Sequence, residues 1–200
     1  MILAVLATDE QWDEIINVIT SVDWLRIEAL HNIPLNADAV FILKEIGIMD
    51  YSTISKTIFI NAVSITLKEL NAPENVVRIN GWNGFLSRPN WEIAGSINEK
   101  VKSIFAALDK QFTTVPDEPG FIAARILAMI INEAWFALEE EVSTKAEIDI
   151  AMKLGTNYPY GPFEWGKLID EKNIFTLLQK LSIINKRYLP APLLQQKISE

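Results

Sequence analysis

The chain has 200 residues, half of them hydrophobic, enough for one large domain or two small ones with a real core. It has no Cys and a single His, so disulfides and thiol chemistry are excluded. With 18 Lys and Arg against 26 Asp and Glu, the net charge is −8 and no basic run offsets it, which argues against nucleic acid as a partner.

Ile2–Ala7 is a short apolar run of the kind that makes a buried strand. No basic residue precedes it and Asp9-Glu10 follow at once, so it does not read as a signal peptide and a cytoplasmic protein is expected. Thr8-Asp9-Glu10 offers an N-cap and an acidic first turn, after which Trp12, Ile15, Ile16 and Ile19 recur at helical spacing. Further strands are predicted at Trp24–Leu30, Asp38–Leu43, Thr57–Asn61 and Val76–Asn80, with a helix around Ser64–Leu70. Ser96–Leu108 reads as a helix and Gln111–Val115 as a last strand. This rhythm predicts an α/β unit with a parallel sheet, and Pro116 marks its end, dividing the chain into 1–115 and 116–200.

The second half reads as all helix. From Pro119 to Glu141 the pattern is apolar on nearly every helical face, so the helix is expected to be wrapped by protein. Phe121–Leu138 is short for a membrane span and carries Arg125, Asn132 and Glu133, which are costly in hydrocarbon, so buried core is expected. Arg125 and Glu133 should be paired or hydrogen-bonded if buried. Thr144 and Glu147 have capping-box spacing, predicting a helix over 145–154 with Gly155 as its stop. Tyr158–Phe163 holds two Pro and one Gly and must be a rigid turn. A further helix is predicted over 173–186, and Pro190-Ala191-Pro192 breaks the chain before a short tail.

Several motifs in this half stand at fixed spacing. They are Asp117, Pro119-Gly120-Phe121-Ile122, Arg125, Asn132-Glu133-Ala134, Ala151-Met152-Lys153-Leu154-Gly155, Tyr158-Pro159-Tyr160-Gly161-Pro162-Phe163-Glu164, and Arg187-Tyr188-Leu189-Pro190-Ala191-Pro192-Leu193-Leu194. Together they resemble the C-terminal domain of the 3-hydroxyacyl-CoA dehydrogenases, with its D-x-P-G-F, N-E-A, A-M-K-L-G, Y-P-x-G-P-F-E and R-Y-x-P-A-P-L-L runs. The first half is more weakly similar to that family's nucleotide-binding domain. Ala37-Asp38-Ala39-Val40 stands for A-D-[LM]-V, Asn61-Ala62-Val63-Ser64 for N-T-S-S, and Arg78-Ile79-Asn80-Gly81-Trp82-Asn83-Gly84-Phe85 for R-x-x-G-x-H-F-F-N-P. The resemblance implies a reduced Rossmann-like parallel sheet domain followed by a helical C-terminal-type domain. It also implies NAD as cofactor, a role in fatty-acid metabolism and a homodimer formed through the C-terminal helices. Trp135, Phe136, Phe163 and Trp165 are either anchors of that contact or ordinary core aromatics.

The chemistry is where the likeness fails. A dinucleotide site needs glycines between the first strand and helix, so that backbone can approach the pyrophosphate. The first Gly of this chain is Gly47, and Thr8-Asp9-Glu10-Gln11-Trp12 fill that turn, with two carboxylates where a diphosphate would rest. Glu28, near the end of the second strand, is the one candidate for a ribose-binding acid. The family's reaction uses a His base oriented by a Glu. Asn83 stands at the His position and an amide is not competent as a base, while Glu92 matches the orienting acid across a gap. Asn61 and Ser64 are the surviving substrate-binding candidates, but Val63 and Ala124 replace two further polar positions of the family. His31, the only His, reads as a surface or strand-end residue, and no carboxylate spacing forms a metal site.

Two readings follow. In the first, the chain descends from the dehydrogenases without hydride transfer and needs no cofactor, acting as a dimer that holds an acyl-CoA-like ligand or serves as a scaffold. In the second it is an active NAD-dependent oxidoreductase of 3-hydroxyacyl-CoA with an altered cofactor site.

Overall fold

The computed structural model describes residues 1–17, 21–44 and 50–199. They divide into two compact units, Met1–Phe121 and Ile122–Glu200. Among the described residues the first unit holds seven strands and two α-helices. These are β1 (Ile2–Leu6), α1 (Asp9–Ile16), β2 (Asp23–Arg26), β3 (Ala39–Ile42), β4 (Thr57–Asn61), β5 (Val76–Ile79), β6 (Asn90–Gly95), α2 (Glu99–Ala107) and β7 (Gln111–Thr114). They form one sheet in the order β2-β1-β3-β4-β5-β6-β7. Every pairing is parallel, with registers such as Leu3↔Ala39 and Ile58↔Val76, except β5 with β6, where Arg78 faces Ala94 antiparallel. The expectation of a parallel sheet is thus met for its first five strands. It assigned no element to 86–95, although Trp91 and Ile93 alternate there between Pro89 and Gly95 in the two-residue period of a strand. Ile19, the last residue of the first helical pattern, lies outside the described residues.

The central strands β1, β3, β4 and β5 are largely apolar on both faces, as strands covered on both sides are. Leu3, Val5, Phe41, Phe59, Ile79, Trp91 and Ile93 form one core with Ile15 of α1 and Val101, Ile104 and Phe105 of α2. Phe41 stacks on Phe59 at 4.5 Å between ring centroids, and Trp91 and Phe105 meet edge to face. The opposite face, with Ala4, Val40, Ile42, Ile58 and Ile60, is covered by loops and short 3-10 turns through Ile27, Tyr51 and Leu70. The helix expected around Ser64–Leu70 is a chain of turns. Thr66 and Glu69 cap one another there, and Asn71, at φ 48, ends the turn before a helix can propagate. The second strand likewise stops at Arg26 rather than Leu30, since 30–32 coil into a 3-10 turn.

Arg78 lies on this second face as a fully buried charge. Its guanidinium donates to the carbonyls of Ala62, Val63 and Glu118 and pairs with Asp117 at 2.5 Å. The Phe121 ring lies 4.7 Å from it. Asp117 also accepts from the backbone N–H groups of Leu67 and Lys68, so it caps the turn as well as balancing the charge. Gly120, at φ 91, lets the chain turn so that its N–H reaches Val63 O.

The second unit is all helical: α3 (Ala123–Glu139), α4 (Lys145–Thr156), α5 (Pro162–Ile169), α6 (Glu171–Ile184) and α7 (Pro192–Ser199). Helix α3 packs against α5, α6 and α7, and α4 against α5. It is not wrapped all round: Leu127, Ile131 and Trp135 are buried, but Ile122 just before it and Ile126 within it are more than half exposed. Arg125 is half-buried and Glu133 exposed. Asn132 is buried, donating to Leu189 O and accepting from Ala191 N, which ties the N-E-A run to the R-Y-x-P-A-P run.

Three expectations for this unit are corrected. Gly155 does not stop α4; the helix runs through it and ends at Asn157, whose short polar side chain tolerates the left-handed φ of 56. The rigid turn before Pro162 leads directly into α5, for which Pro162 at the first helical position and Glu164 on the Gly161 N–H supply the start. The tail after Pro192 is helix α7, because Pro at a first helical position does not interrupt a helix. Trp135, Phe163 and Trp165 are core, with Trp135 against Phe163 at 5.3 Å and Lys145 over Trp135 at 4.1 Å, while Phe136 is half-buried.

Candidate functional site

In an open parallel sheet, ligands settle outside the carboxyl ends of the strands where strand order reverses. Here that is the crevice between β1 and β3, with the ends of β4 and β5 alongside. Thr8 closes the β1–α1 turn with a capping box, accepting from Gln11 N while Thr8 N donates to Gln11 Oε1. The other end of the Gln11 amide donates to Leu43 O at 3.0 Å and Gly81 O at 3.2 Å, so this buried side chain bridges three segments. Asn61, at the end of β4, joins the same two partners, donating to Leu43 O and accepting from Gly81 N. Gly81 is needed at this point: a Cβ there would stand 2.9 Å from the Asn61 Cβ.

The carboxylates of the turn lie outside this bridge. Asp9 is exposed and pairs with Arg26 at 2.6 Å; Arg26 also donates to Ala7 O and lies 5.8 Å from the Trp12 ring. A dinucleotide's pyrophosphate requires free backbone N–H groups and bare backbone. This turn offers two acidic side chains, one cation already paired with Asp9, and a helix start capped by its own residues. The residues present do not fit the cofactor.

The remaining candidates are scattered by the fold. Asn83 is half-buried in the turns following β5, and Glu14 of α1 holds those turns through Gly84 N and Ser87 N. Glu92 lies half-buried on β6, opposite Thr113. Burial pushes the Arg88 guanidinium below its ordinary pKa, and the carboxylates of Glu92 and Glu14 pull it back toward the charged form. Ser64 is half-buried in the bend after β4, and Asn61 is committed to the bridge. Glu28 is exposed beyond the end of β2, and His31 is exposed in the following 3-10 turn. No cluster of three or more potential metal ligands occurs among the described residues.

Sequence reasoning missed Gln11, Glu14, Arg26 and Lys110. Only Gln11 left a signal, the T-x-x-Q spacing of a capping box. Lys110 is buried, donates to Leu86 O and Arg88 O, and lies 4.9 Å from the Trp91 ring. Burial lowers its pKa to about 8, with Glu14 opposing the shift.

The helical unit shows what its motifs are for. Asp149 is buried and accepts from Phe163 N at 2.8 Å, and any Cβ at Gly161 would collide with the Asp149 side chain. Lys153 pairs with Glu164 at 2.5 Å, and that ammonium, followed by the Gly161 N–H, holds the Glu164 carboxyl below its ordinary pKa. The A-M-K-L-G and Y-P-x-G-P-F-E runs are two halves of one joint between α4 and α5. Their contacts are packing, pairing and capping.

A mostly parallel open sheet followed by an all-helical unit is the architecture of two-domain dehydrogenases, and the fold extends over the whole chain. The FadB2 protein of M. tuberculosis superposes with a TM-score of 0.74 over 99% of this chain and 93% of that one, at 14% sequence identity. The sequence likeness lies mainly in the helical unit. Residues 120–199 match the model for the 3-hydroxyacyl-CoA dehydrogenase C-terminal domain. The 3-hydroxyadipyl-CoA dehydrogenase of Escherichia coli is 43% identical over 90 residues, 44% of this chain and 19% of that protein. The 3-hydroxybutyryl-CoA dehydrogenase of Bradyrhizobium diazoefficiens is 40% identical over 98 residues, 48% of this chain and 33% of that protein. Residues 120–199 are therefore similar to the C-terminal domain of the 3-hydroxyacyl-CoA dehydrogenases, and the residues before them share the FadB2 fold. The chain's matches span a third or less of the length of these two relatives. No helix among the described residues is long and apolar enough to cross a membrane.

Proposed function

We propose that this chain is a 3-hydroxyacyl-CoA dehydrogenase-like protein without hydride-transfer activity, working as a homodimer that holds an acyl-CoA-type ligand or serves as a scaffold. The observation that carries the reading is the glycine-free, acidic β1–α1 turn closed by Gln11. Asn83, at the position of the family's base, can neither accept nor release a proton near neutral pH. The test is the purified chain mixed with acetoacetyl-CoA and NADH. No loss of nicotinamide absorbance above background is expected; steady loss would sink the proposal and restore the NAD-dependent oxidoreductase. Calorimetry with acetyl-CoA then separates ligand holding from a purely structural role.

The dimer is supported by the surface of α4. Asp149 is its only buried residue, yet Ile150 and Leu154, one turn apart on one face, are 52% and 83% exposed. An unpartnered apolar face of this kind marks an interaction surface, and a second copy is the occupant that the family resemblance implies. Analytical ultracentrifugation should give a dimer for the native chain and a monomer for Leu154→Lys. A native monomer at micromolar concentration would remove this part of the reading.

A further inference from the structure

We infer that the carboxyl edge of the sheet is liganded by the chain itself, with the Gln11 carboxamide in place of a dinucleotide. The inference rests on the proposed loss of hydride transfer and gives it a structural cause. Each polar group of the Gln11 amide is used: Oε1 accepts from Thr8 N, and Nε2 donates to Leu43 O and Gly81 O. Asn61 spans the same two segments from β4, and the Gly81 N–H is spent on its Oδ1. Helix α1 and the ends of β3, β4 and β5 are therefore held by side-chain amides, as a bound ligand would otherwise hold them.

The polarity of the joint also matters. What Gln11 satisfies at the strand ends is a pair of carbonyl oxygens, acceptors that would repel a phosphate. Displacing Gln11 would orphan Gly81 O and the Thr8 N–H and leave Leu43 O with Asn61 alone. A nucleotide would thus have to break three bonds beside the acidic first turn of α1, which holds Asp9 and Glu10. This edge is a structural joint and binds neither NAD nor NADH.

Two measurements test it. In a titration of the intact chain with NADH, followed by energy transfer from tryptophan, no saturable binding tighter than about 1 mM is expected. Saturable binding without turnover overturns the joint but leaves the proposed function standing; binding with turnover overturns both. The second measurement uses Gln11→Glu, which keeps the acceptor for Thr8 N but cannot donate to Leu43 O or Gly81 O. Thermal midpoint should fall and hydrogen exchange at the Gly81 N–H should rise several-fold. A residue that only capped α1 would leave Gly81 exchange unchanged, and that result, or a native thermal midpoint, overturns the inference.

Discussion

Replacing Asp117 by Ala should cost the first unit about 2–4 kcal/mol, and the structure says where the loss arises. The carboxylate accepts from Leu67 N and Lys68 N at 3.0 and 3.1 Å, in an exposed turn where each bond contributes about 1 kcal/mol. It also balances Arg78, which is fully buried. Removing one partner of a deeply buried pair costs about 3–5 kcal/mol. Two features reduce that figure here. The Asp117 side chain is 29% exposed, so water can enter its place, and the guanidinium keeps three backbone carbonyls. With a urea slope of about 2 kcal/mol/M, the midpoint should move down by roughly 1–2 M. Asp117→Asn, which keeps an acceptor but loses the charge, should fall between.

The pH dependence gives a second reading of the same pair. Burial raises the Asp117 carboxyl, but the Leu67 N–H, the Arg78 guanidinium and the Lys68 N–H outweigh it, and its pKa lies below the ordinary value. A carboxyl depressed on folding stabilises the native state above its unfolded pKa, near 3.9, and loses that contribution as pH falls through the folded value. The gap between native chain and Asp117→Asn in urea melts should therefore be full at neutral pH and close below about pH 4. A midpoint shift under about 0.3 M for Asp117→Ala at neutral pH would refute the claim that this pair closes the unit.

Asn132→Ala should lower stability by about 1–3 kcal/mol in denaturant melts, chiefly through the orphaned Ala191 N–H, since Leu189 lies half exposed beside water. Gly161→Ala should disrupt the α4–α5 joint, because its Cβ would collide with Asp149; faster hydrogen exchange at Phe163 N, which Asp149 caps, is the readout. Lys110 is depressed to about 8 on folding, so its unfavourable charge burial is complete below that pH and absent above about 10.4. The native chain should gain stability between those limits relative to Lys110→Met, and parallel pH profiles for the two would contradict the burial.

Much of the fold could be read before any coordinates. Period and composition placed β1, β4, β7, α2 and α3 closely, because alternation, caps and helical spacing are local properties of a few residues. The resemblance of the second half could be read for a related reason. Gly161, Pro162, Glu164 and Asn132 act through short-range geometry, so their spacing along the chain is itself the signal. The missed elements had competing local signals. Gly155 resembles a stop, yet nothing in the surroundings forbids helix there, whereas Asn157 can adopt the left-handed conformation that ends it.

By itself the sequence determined that the first turn has no glycine, that two carboxylates occupy it and that Asn83 cannot be a base. These are statements about which atoms are present, and no fold could alter them. Only the tertiary structure decided where the polar groups were spent. Gln11 reaches Gly81 and Arg78 reaches Asp117 across dozens of residues, contacts that exist because a parallel sheet brings its strand ends side by side. Such pairings depend on strand order and register, which no local pattern encodes.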